Sequence, residues 1–355
     1  MKILFLIPYP LASAPSQRFR FEQYLHFLKE EGHQITVSSF FGKMSWNVLY
    51  KPGNVVLKLF GFFRGIVKRK YDLFRATKAD IVFIHREAAP LGPPVFEWVI
   101  ARILRKKIIY DFDDAIWLPN TSKENSFVAW LKWHGKVRST CKWSWRVSCG
   151  NKFLLDYAKQ YNSNAFLNPT TIDAENLHDP DSCTKTGVLT IGWTGTHSTA
   201  KYLLPLIPVL ENLQKQFDFR FLFICNHPPP FELSNLEFRP WKSETEISDL
   251  MEIDIGIMPL KDDQWAEGKC GFKALQYMAL QIPALVSPVG VNSEIVEHGV
   301  QGFHCRTNEE WSTRISELKE DPQIRNSMGQ SGRDKVVRQY SVNSNKENFL
   351  GLFTQ

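Results

Sequence analysis

A chain of 355 residues is too long for one ordinary core and suits two domains of roughly 150 to 180 residues each. Hydrophobic residues make up 43% and charged residues 23%, which excludes the disordered, collagen-like and coiled-coil classes and leaves a globular protein with sizeable cores. Net charge is +6 but uneven, with 26 Lys+Arg against 15 Asp+Glu in residues 1–180 and 17 against 22 in residues 181–355. The basic half predicts an anionic partner such as a phosphorylated glycan, a lipid head group, a membrane surface or nucleic acid; a merely solvated basic surface is the alternative.

Lys58 and Arg64 interrupt the best apolar stretch, 55–67, so no segment reaches the roughly 18 apolar residues of a membrane span. The N-terminal run 3–7 is shorter than a secretory core and stops at Pro8, which predicts a cytoplasmic protein. Cysteines 141, 149, 183, 225, 270 and 305 are scattered without zinc-site or C-x-x-C spacing, and they are expected to be reduced, several of them in strand cores.

In chain order, 2–8 is an apolar run ended by proline, as in a buried parallel strand. Ser16 is placed to cap a helix that carries Phe19, Tyr24, Phe27 and Leu28 up to Gly32, and 34–40 is the next strand, completing a βαβ unit. Strands at 81–85, 107–110, 146–148 and 165–167 continue the alternation of a doubly wound sheet. Residues 57–70 mix aromatic and basic side chains. They suit a helix lying on an anionic membrane, or one packed on the core with a basic solvent face; the second reading is favoured because Gly61 and Gly65 weaken an isolated helix.

The polar stretch 173–187 predicts a linker. After it come a strand at 188–193, a helix with Leu203, Ile207, Leu210, Leu213 and Phe217 on one face, kinked or delayed by Pro205 and Pro208, and strands at 221–225, 255–258 and 284–287. Helices are expected around 246–251, 271–280, 308–319, 323–339 and 342–354. The division is a first α/β domain over 1–172, the linker, a second over 188–340, and a C-terminal helix over 341–355 that can pack back on the first.

Chemistry-bearing residues gather at strand ends, where α/β proteins place ligands. Gly195 follows a strand and lets amides approach a ligand, Ser198 or Thr199 starts a helix that favours an anion, and Lys201 adds charge. The turn Gly268-Lys269-Cys270-Gly271 again brings amides to a helix start, ahead of Phe272 and Lys273. Tyr110-Asp111-Phe112-Asp113-Asp114 crowds three carboxylates at a strand end, an arrangement that calls for a cation, a hydroxyl-rich ligand or raised pKa values. His85-Arg86-Glu87 ends the neighbouring strand, so Arg86 can neutralise those carboxylates or hold an acceptor phosphate. Arg18 and Arg20, with Ser16 and Gln17, occupy the first strand-to-helix loop, where they are placed to meet a phosphate. The bland alternatives are a surface role for Lys201, helix capping by Asp114 or Glu294, and a buried ion pair for Arg86.

Taken together, Gly195-Thr196 with Lys201, Gly271-Phe272-Lys273-Ala274-Leu275-Gln276-Tyr277-Met278-Ala279, and Pro283-Ala284-Leu285-Val286-Ser287-Pro288-Val289-Gly290 with Glu294 resemble the GT-B glycosyltransferases of family 4. The resemblance implies two Rossmann-like α/β lobes facing each other across a cleft, with a nucleoside-diphosphate sugar on the second and an acceptor on the first. It also implies retaining hexosyl transfer, with no cofactor and no metal. By position it implies donor contacts from Gly195, Thr196, His197, Gly271, Phe272, Gln276 and Glu294, and leaving-group stabilisation by Lys201 and Lys273. Thr196 replaces the family's arginine, and Gly268 and Gln276 replace its two glutamates. On the acceptor side Asp113 takes the family's histidine position, supported by His85, Arg86, Asp111, Asp114 and Arg18.

The function expected is extension of a glycan or lipid-linked saccharide in polysaccharide or glycolipid synthesis at the cytoplasmic membrane face, with an anionic membrane as a further partner. Alternatives are a UDP-sugar 2-epimerase of the same fold and a non-catalytic sugar-nucleotide or glycan-binding subunit. A GT-A type metal site on Asp111 and Asp113 ranks lower, and no nucleic-acid partner is expected, because the basic half lacks a recognisable RNA-binding signature.

Overall fold

A computed structural model of the chain describes residues 1–49, 51, 53–119, 131–180 and 187–354. They form two compact units, one of residues 1–170 with 345–355 and the other of residues 171–344. The linker stretch 181–186 and Cys183 lie outside the described residues. The other cysteines are buried free thiols.

The first unit is built on six parallel strands, β1 (Lys2–Ile7), β2 (Gln34–Ser39), β3 (Ile81–His85), β4 (Lys107–Phe112), β5 (Arg146–Cys149) and β6 (Ala165–Leu167), in the order β2-β1-β3-β4-β5-β6. Strands β1, β3 and β4 are covered on both faces, which is why they read as continuous apolar runs rather than alternating ones. Helix α1 (Leu25–Glu30) ends just before Gly32, whose φ of +77° turns the chain into β2. The capping expected of Ser16 is not observed. The turn Pro15–Arg18 opens from Ala14 with Pro15 at its first position, and Ser16 lies inside it, as the fixed φ of proline favours.

Helix α2 (Val55–Thr77) packs a narrow face inward and shows aromatic as well as basic side chains to solvent. Its buried residues are Gly61, Gly65, Arg69, Asp72 and Ala76, Phe62 and Ile66 pack against the Phe40 and Phe41 cluster, and Val56, Phe60, Phe63, Val67, Tyr71 and Phe74 are exposed. The two glycines permit close approach: a Cβ at Gly61 would lie 2.3 Å from Ser45 Oγ, and one at Gly65 would lie 2.4 Å from the Phe40 ring. Arg69 anchors the inward face by donating to the carbonyls of Ile7 and Ala88, each at 2.7 Å, and to Asp72 at 2.8 Å. Helices α3 (Lys136–Trp143) and α4 (Lys152–Lys159) complete the unit, the latter capped by Asn151, which accepts from the Leu154 amide.

The second unit holds β7 (Thr190–Gly195), β8 (Arg220–Cys225), β9 (Leu236–Pro240), β10 (Ile255–Met258), β11 (Ala284–Val286) and β12 (Gly302–His304), all parallel, in the order β12-β11-β10-β7-β8-β9. This is the doubly wound order whose switch point falls between β7 and β10. The pair of Rossmann-like α/β sheets is therefore the observed fold class. Pro205 sits in a 3-10 stretch, Lys201–Leu206, and the regular helix α5 (Ile207–Gln214) begins after it. Helices α6 (Glu246–Met251), α7 (Phe272–Ala279), α8 (Asn308–Glu320) and α9 (Pro322–Lys335) follow, with a Thr307–Glu310 capping box on α8. Arg333 of α9 donates to the carbonyls of His178 and Ala174, tying the start of this unit to its end.

The last helix, α10 (Val342–Leu350), carries the chain back to the first unit. There Phe349 stacks on Tyr24 with centroids 4.4 Å apart, and Phe353 meets Phe5 and Phe83. Arg146 fixes this return by donating to the carbonyls of Gly351 and Leu352.

Candidate functional site

In the first unit the carboxyl edge of the sheet holds two ionic clusters, one buried and one near the surface. Asp111, at the end of β4, is 1% exposed and receives His85 Nδ1 at 2.7 Å, Ser148 Oγ at 2.6 Å and the Arg20 guanidinium. Arg20 also donates to the carbonyl of Asn168, whose side-chain amide reaches Ser148 Oγ at 3.1 Å. Burial alone would raise the Asp111 carboxyl, but the Arg20 charge and the His85 hydrogen bond outweigh it and hold the group far below the usual carboxylate range.

The network thus joins the ends of β3, β4, β5 and β6. His85 and Asp111, both expected to face the acceptor, are enclosed at the ends of their strands. Arg20 is likewise buried and committed to Asp111, which corrects the expectation that it meets a phosphate. The Nε2 atom of His85 is enclosed without a hydrogen-bond partner.

Arg86 organises the second cluster. Its Nε donates to Asp113 at 2.8 Å and its Nη2 to Asp114 at 2.7 Å. Burial would lower its pKa, but the two carboxylates raise it above the ordinary arginine value. The Arg86 backbone has φ of +59°, held by its amide on the Asp111 carbonyl and by the Tyr110 hydroxyl on its own carbonyl, each at 2.7 Å. A non-glycine residue there stores strain of about 1–3 kcal/mol, a feature that concentrates at functional sites. Arg18 is half-buried, with its guanidinium 4.9 Å above the Phe19 ring. Among the described residues no group of three or more His, Cys, Asp or Glu side chains is arranged to hold a metal ion.

In the second unit, Gly195 ends β7 at the switch point and Lys273 lies against it. A Cβ at Gly195 would sit 2.6 Å from the Trp193 ring and 2.9 Å from Lys273 Cε, so only glycine leaves this surface open. Lys273 Nζ stands 5.4 Å from the Trp193 ring centroid, and Trp193 itself stacks on Phe223. Gly271 caps α7 with φ of +67°, and a Cβ there would collide with Ile295 Cδ1 at 2.1 Å; both conformation and space require glycine. Phe272 is half-buried beside it.

Tyr277, which sequence reasoning did not single out, pins this corner. Its hydroxyl accepts from the Thr194 amide at 3.1 Å and donates to the Ile257 carbonyl at 3.4 Å, linking α7 to both strands of the switch point. Thr196 and His197 are exposed, with the His197 amide donating to Asn226 Oδ1 at 2.9 Å. The helix starting there, His197–Ala200, is a single turn, so its dipole is weaker than the expected helix would supply. Lys201 is exposed, with Nζ 5.4 Å from the Tyr202 ring.

Gln276 is 1% exposed and donates to buried Glu246, which also accepts from Trp241. It is enclosed within the unit, which corrects the expectation that it contacts the donor. Glu294 is exposed on a short turn of helix, and its carbonyl accepts from Lys335. The structure therefore brings Gly195 to Lys273, Arg86 to Asp113 and Asp114, and His85 to Asp111. Ser148 was legible only as the last residue of an expected strand, and Asn168 only as the residue after one.

Residues 232–335 match the family described as Glycosyl transferases group 1, a span that includes α6, β10, the Gly271 cap, α7 and β11. No curated protein matches the chain. Among solved structures, a glycosyltransferase from Rickettsia africae ESF-5 is 16% identical with a TM-score of 0.69, over 99% of this chain and 97% of that one. A sucrose-phosphate synthase from Thermosynechococcus elongatus is 11% identical with a TM-score of 0.70, over 99% and 98%. HepE of Anabaena in complex with UDP and glucose is 14% identical with a TM-score of 0.65, also over 99% and 98%. The chain thus has the GT-B fold, and its second unit contains a glycosyl transferases group 1 domain.

Proposed function

We propose that the chain is a family 4 glycosyltransferase. It transfers a hexosyl group, with retention and without a metal, from a nucleoside-diphosphate sugar to a glycan or lipid-linked saccharide in cell-surface polysaccharide or glycolipid synthesis on the cytoplasmic side. The observation that carries this reading is the apposition of Lys273 to the bare backbone at Gly195. A fixed cation beside amide groups at a sheet switch point suits a diphosphate. The UDP and glucose bound by HepE make UDP-glucose the first donor to test.

In the proposed reaction the bond from the anomeric carbon to the β-phosphate oxygen breaks and one to the acceptor oxygen forms. Lys273, Lys201 and the amides near Gly195 and Gly271 stabilise the leaving diphosphate, which can itself take the acceptor proton. Thr196, His197, Phe272 and Glu294 border the donor, while Arg86, Asp113, Asp114 and Arg18 border the acceptor. With its charge balanced by Arg86, Asp113 orients the acceptor hydroxyl. Thermal stabilisation by UDP-, GDP-, ADP- and dTDP-sugars identifies the donor, and nucleoside-diphosphate release measured with EDTA tests the transfer. Release that rises with a saccharide acceptor is expected. Product formed without acceptor would make the chain an epimerase, and binding without turnover would make it a binding subunit.

A further inference from the structure

We propose that α2 is a membrane-docking helix that lays its aromatic outer face on an anionic lipid surface. The inference rests on the surface of the first unit and does not depend on the donor reading.

A surface helix of a globular protein ordinarily turns its apolar stripe inward; α2 packs Phe62 and Ile66 against the Phe40 and Phe41 cluster and shows a second apolar stripe outward. Val56, Phe60, Phe63, Val67, Tyr71 and Phe74 recur every three or four residues, which places them on one face, and each is between 55% and 79% exposed. Scattered exposed apolar residues are ordinary, but a continuous stripe of this length is a contact surface. The segment Val95–Trp98 and the helical turn after it pack beside α2 and leave Val95, Trp98 and Ile103 exposed as well. Tryptophan and tyrosine favour the level of lipid head groups.

Charge selects the occupant. The only carboxylate in α2, Asp72, is 1% exposed and ion-paired to Arg69 and Arg75, so every charge that α2 shows outward is positive. These cations flank the stripe itself: the Arg75 guanidinium lies 4.6 Å from the Tyr71 ring centroid and Lys78 Nζ lies 4.7 Å from that of Phe74, with Arg64 and Lys70 exposed beside them. Rings that enter the acyl boundary therefore bring cations to the phosphate level, the arrangement of an in-plane amphipathic helix. Among the described residues no helix is long and apolar enough to cross a membrane. A symmetric contact with a second copy would set two basic faces against each other, which like-charge repulsion opposes.

The test is sedimentation of the full chain with vesicles of phosphatidylcholine alone and with added phosphatidylglycerol. Binding to the anionic vesicles that weakens with salt is expected, because exposed charges are screened beyond about 10 Å at 0.1 M salt. Phe60→Ser/Phe63→Ser/Phe74→Ser and, separately, Lys70→Glu/Lys78→Glu should each cut that binding at least about tenfold. Both sets alter exposed side chains, and unchanged melting temperatures would verify that the fold persists. Equal binding to both vesicle types, or full binding by the aromatic variant, overturns the proposal. So does a wild-type dimer that the aromatic variant converts to monomer while vesicle binding is absent, since the stripe would then belong to a second copy.

Discussion

Arg86 donates through Nε to Asp113 Oδ1 at 2.8 Å while its own backbone is held at φ of +59°. The ion pair and the strained residue are one feature, because the positive φ aims the guanidinium across the neighbouring strand end at Asp113 and Asp114. A carboxylate held in this way points consistently, as the proposed partner of an acceptor hydroxyl needs to.

Asp113→Asn is nearly isosteric and removes the charge. It should lower turnover at least about tenfold while leaving donor affinity nearly intact. Steady-state kinetics combined with donor titration separates the two effects. Normal turnover with only a lower melting temperature would make the carboxylate structural. Arg86→Ala removes the guanidinium shared by two partly buried carboxylates and should cost about 3 kcal/mol in urea unfolding.

Lys273→Ala and Lys201→Ala should each weaken nucleoside-diphosphate binding by about 1.5–3 kcal/mol, the scale of a charged hydrogen bond. Calorimetric titration with UDP measures both. Gly195→Ala should weaken binding too, because its Cβ displaces Lys273 or the Trp193 ring. Unchanged affinity in both lysine variants would sink the diphosphate assignment.

Asp111 predicts an acid-sensitive contribution to stability. Its folded pKa is depressed, so the stabilisation is complete above the unfolded value of about 4 and is lost as pH falls toward the folded one. The gap in unfolding free energy between wild type and Asp111→Asn should therefore shrink by about 1 kcal/mol from pH 5 to pH 3. A gap that stays constant across that interval would contradict the depressed value.

Gly65→Ala tests why α2 carries glycines. Helix propensity alone favours alanine by about 1 kcal/mol. The new Cβ would meet the buried Phe40 ring at 2.4 Å, an overpacking that costs about 1–3 kcal/mol. Net destabilisation is expected by thermal melting, and a raised melting temperature would show that the helix is not seated on Phe40.

Much of the sheet architecture was legible because parallel strands buried on both faces leave bounded apolar runs. Those at 81–85 and 255–258 coincide with β3 and β10, and 165–167 coincides with β6 although Phe166 and Leu167 are exposed there. Strand β9 was missed because it is a half-buried edge whose sequence, LEFRP, has no such run. Helix α2 was legible as basic and aromatic, but not as to which side faces in. That depends on Ser45, Phe40 and the carbonyls of Ile7 and Ala88, all far away in sequence. The strand ends were legible as candidate sites, yet only tertiary contacts reveal that Arg20 takes up Asp111 and that Gln276 turns to Glu246.

The return of α10 to the first unit has a consequence for synthesis. Phe349 and Phe353 fill the core around Tyr24, Phe5 and Phe83, yet they leave the ribosome after the whole second unit. Domains usually mature in the order in which they are made. Here the continuous second unit can finish first, and the unit that begins the chain waits, with its aromatic core open, for the last eleven residues, 345–355.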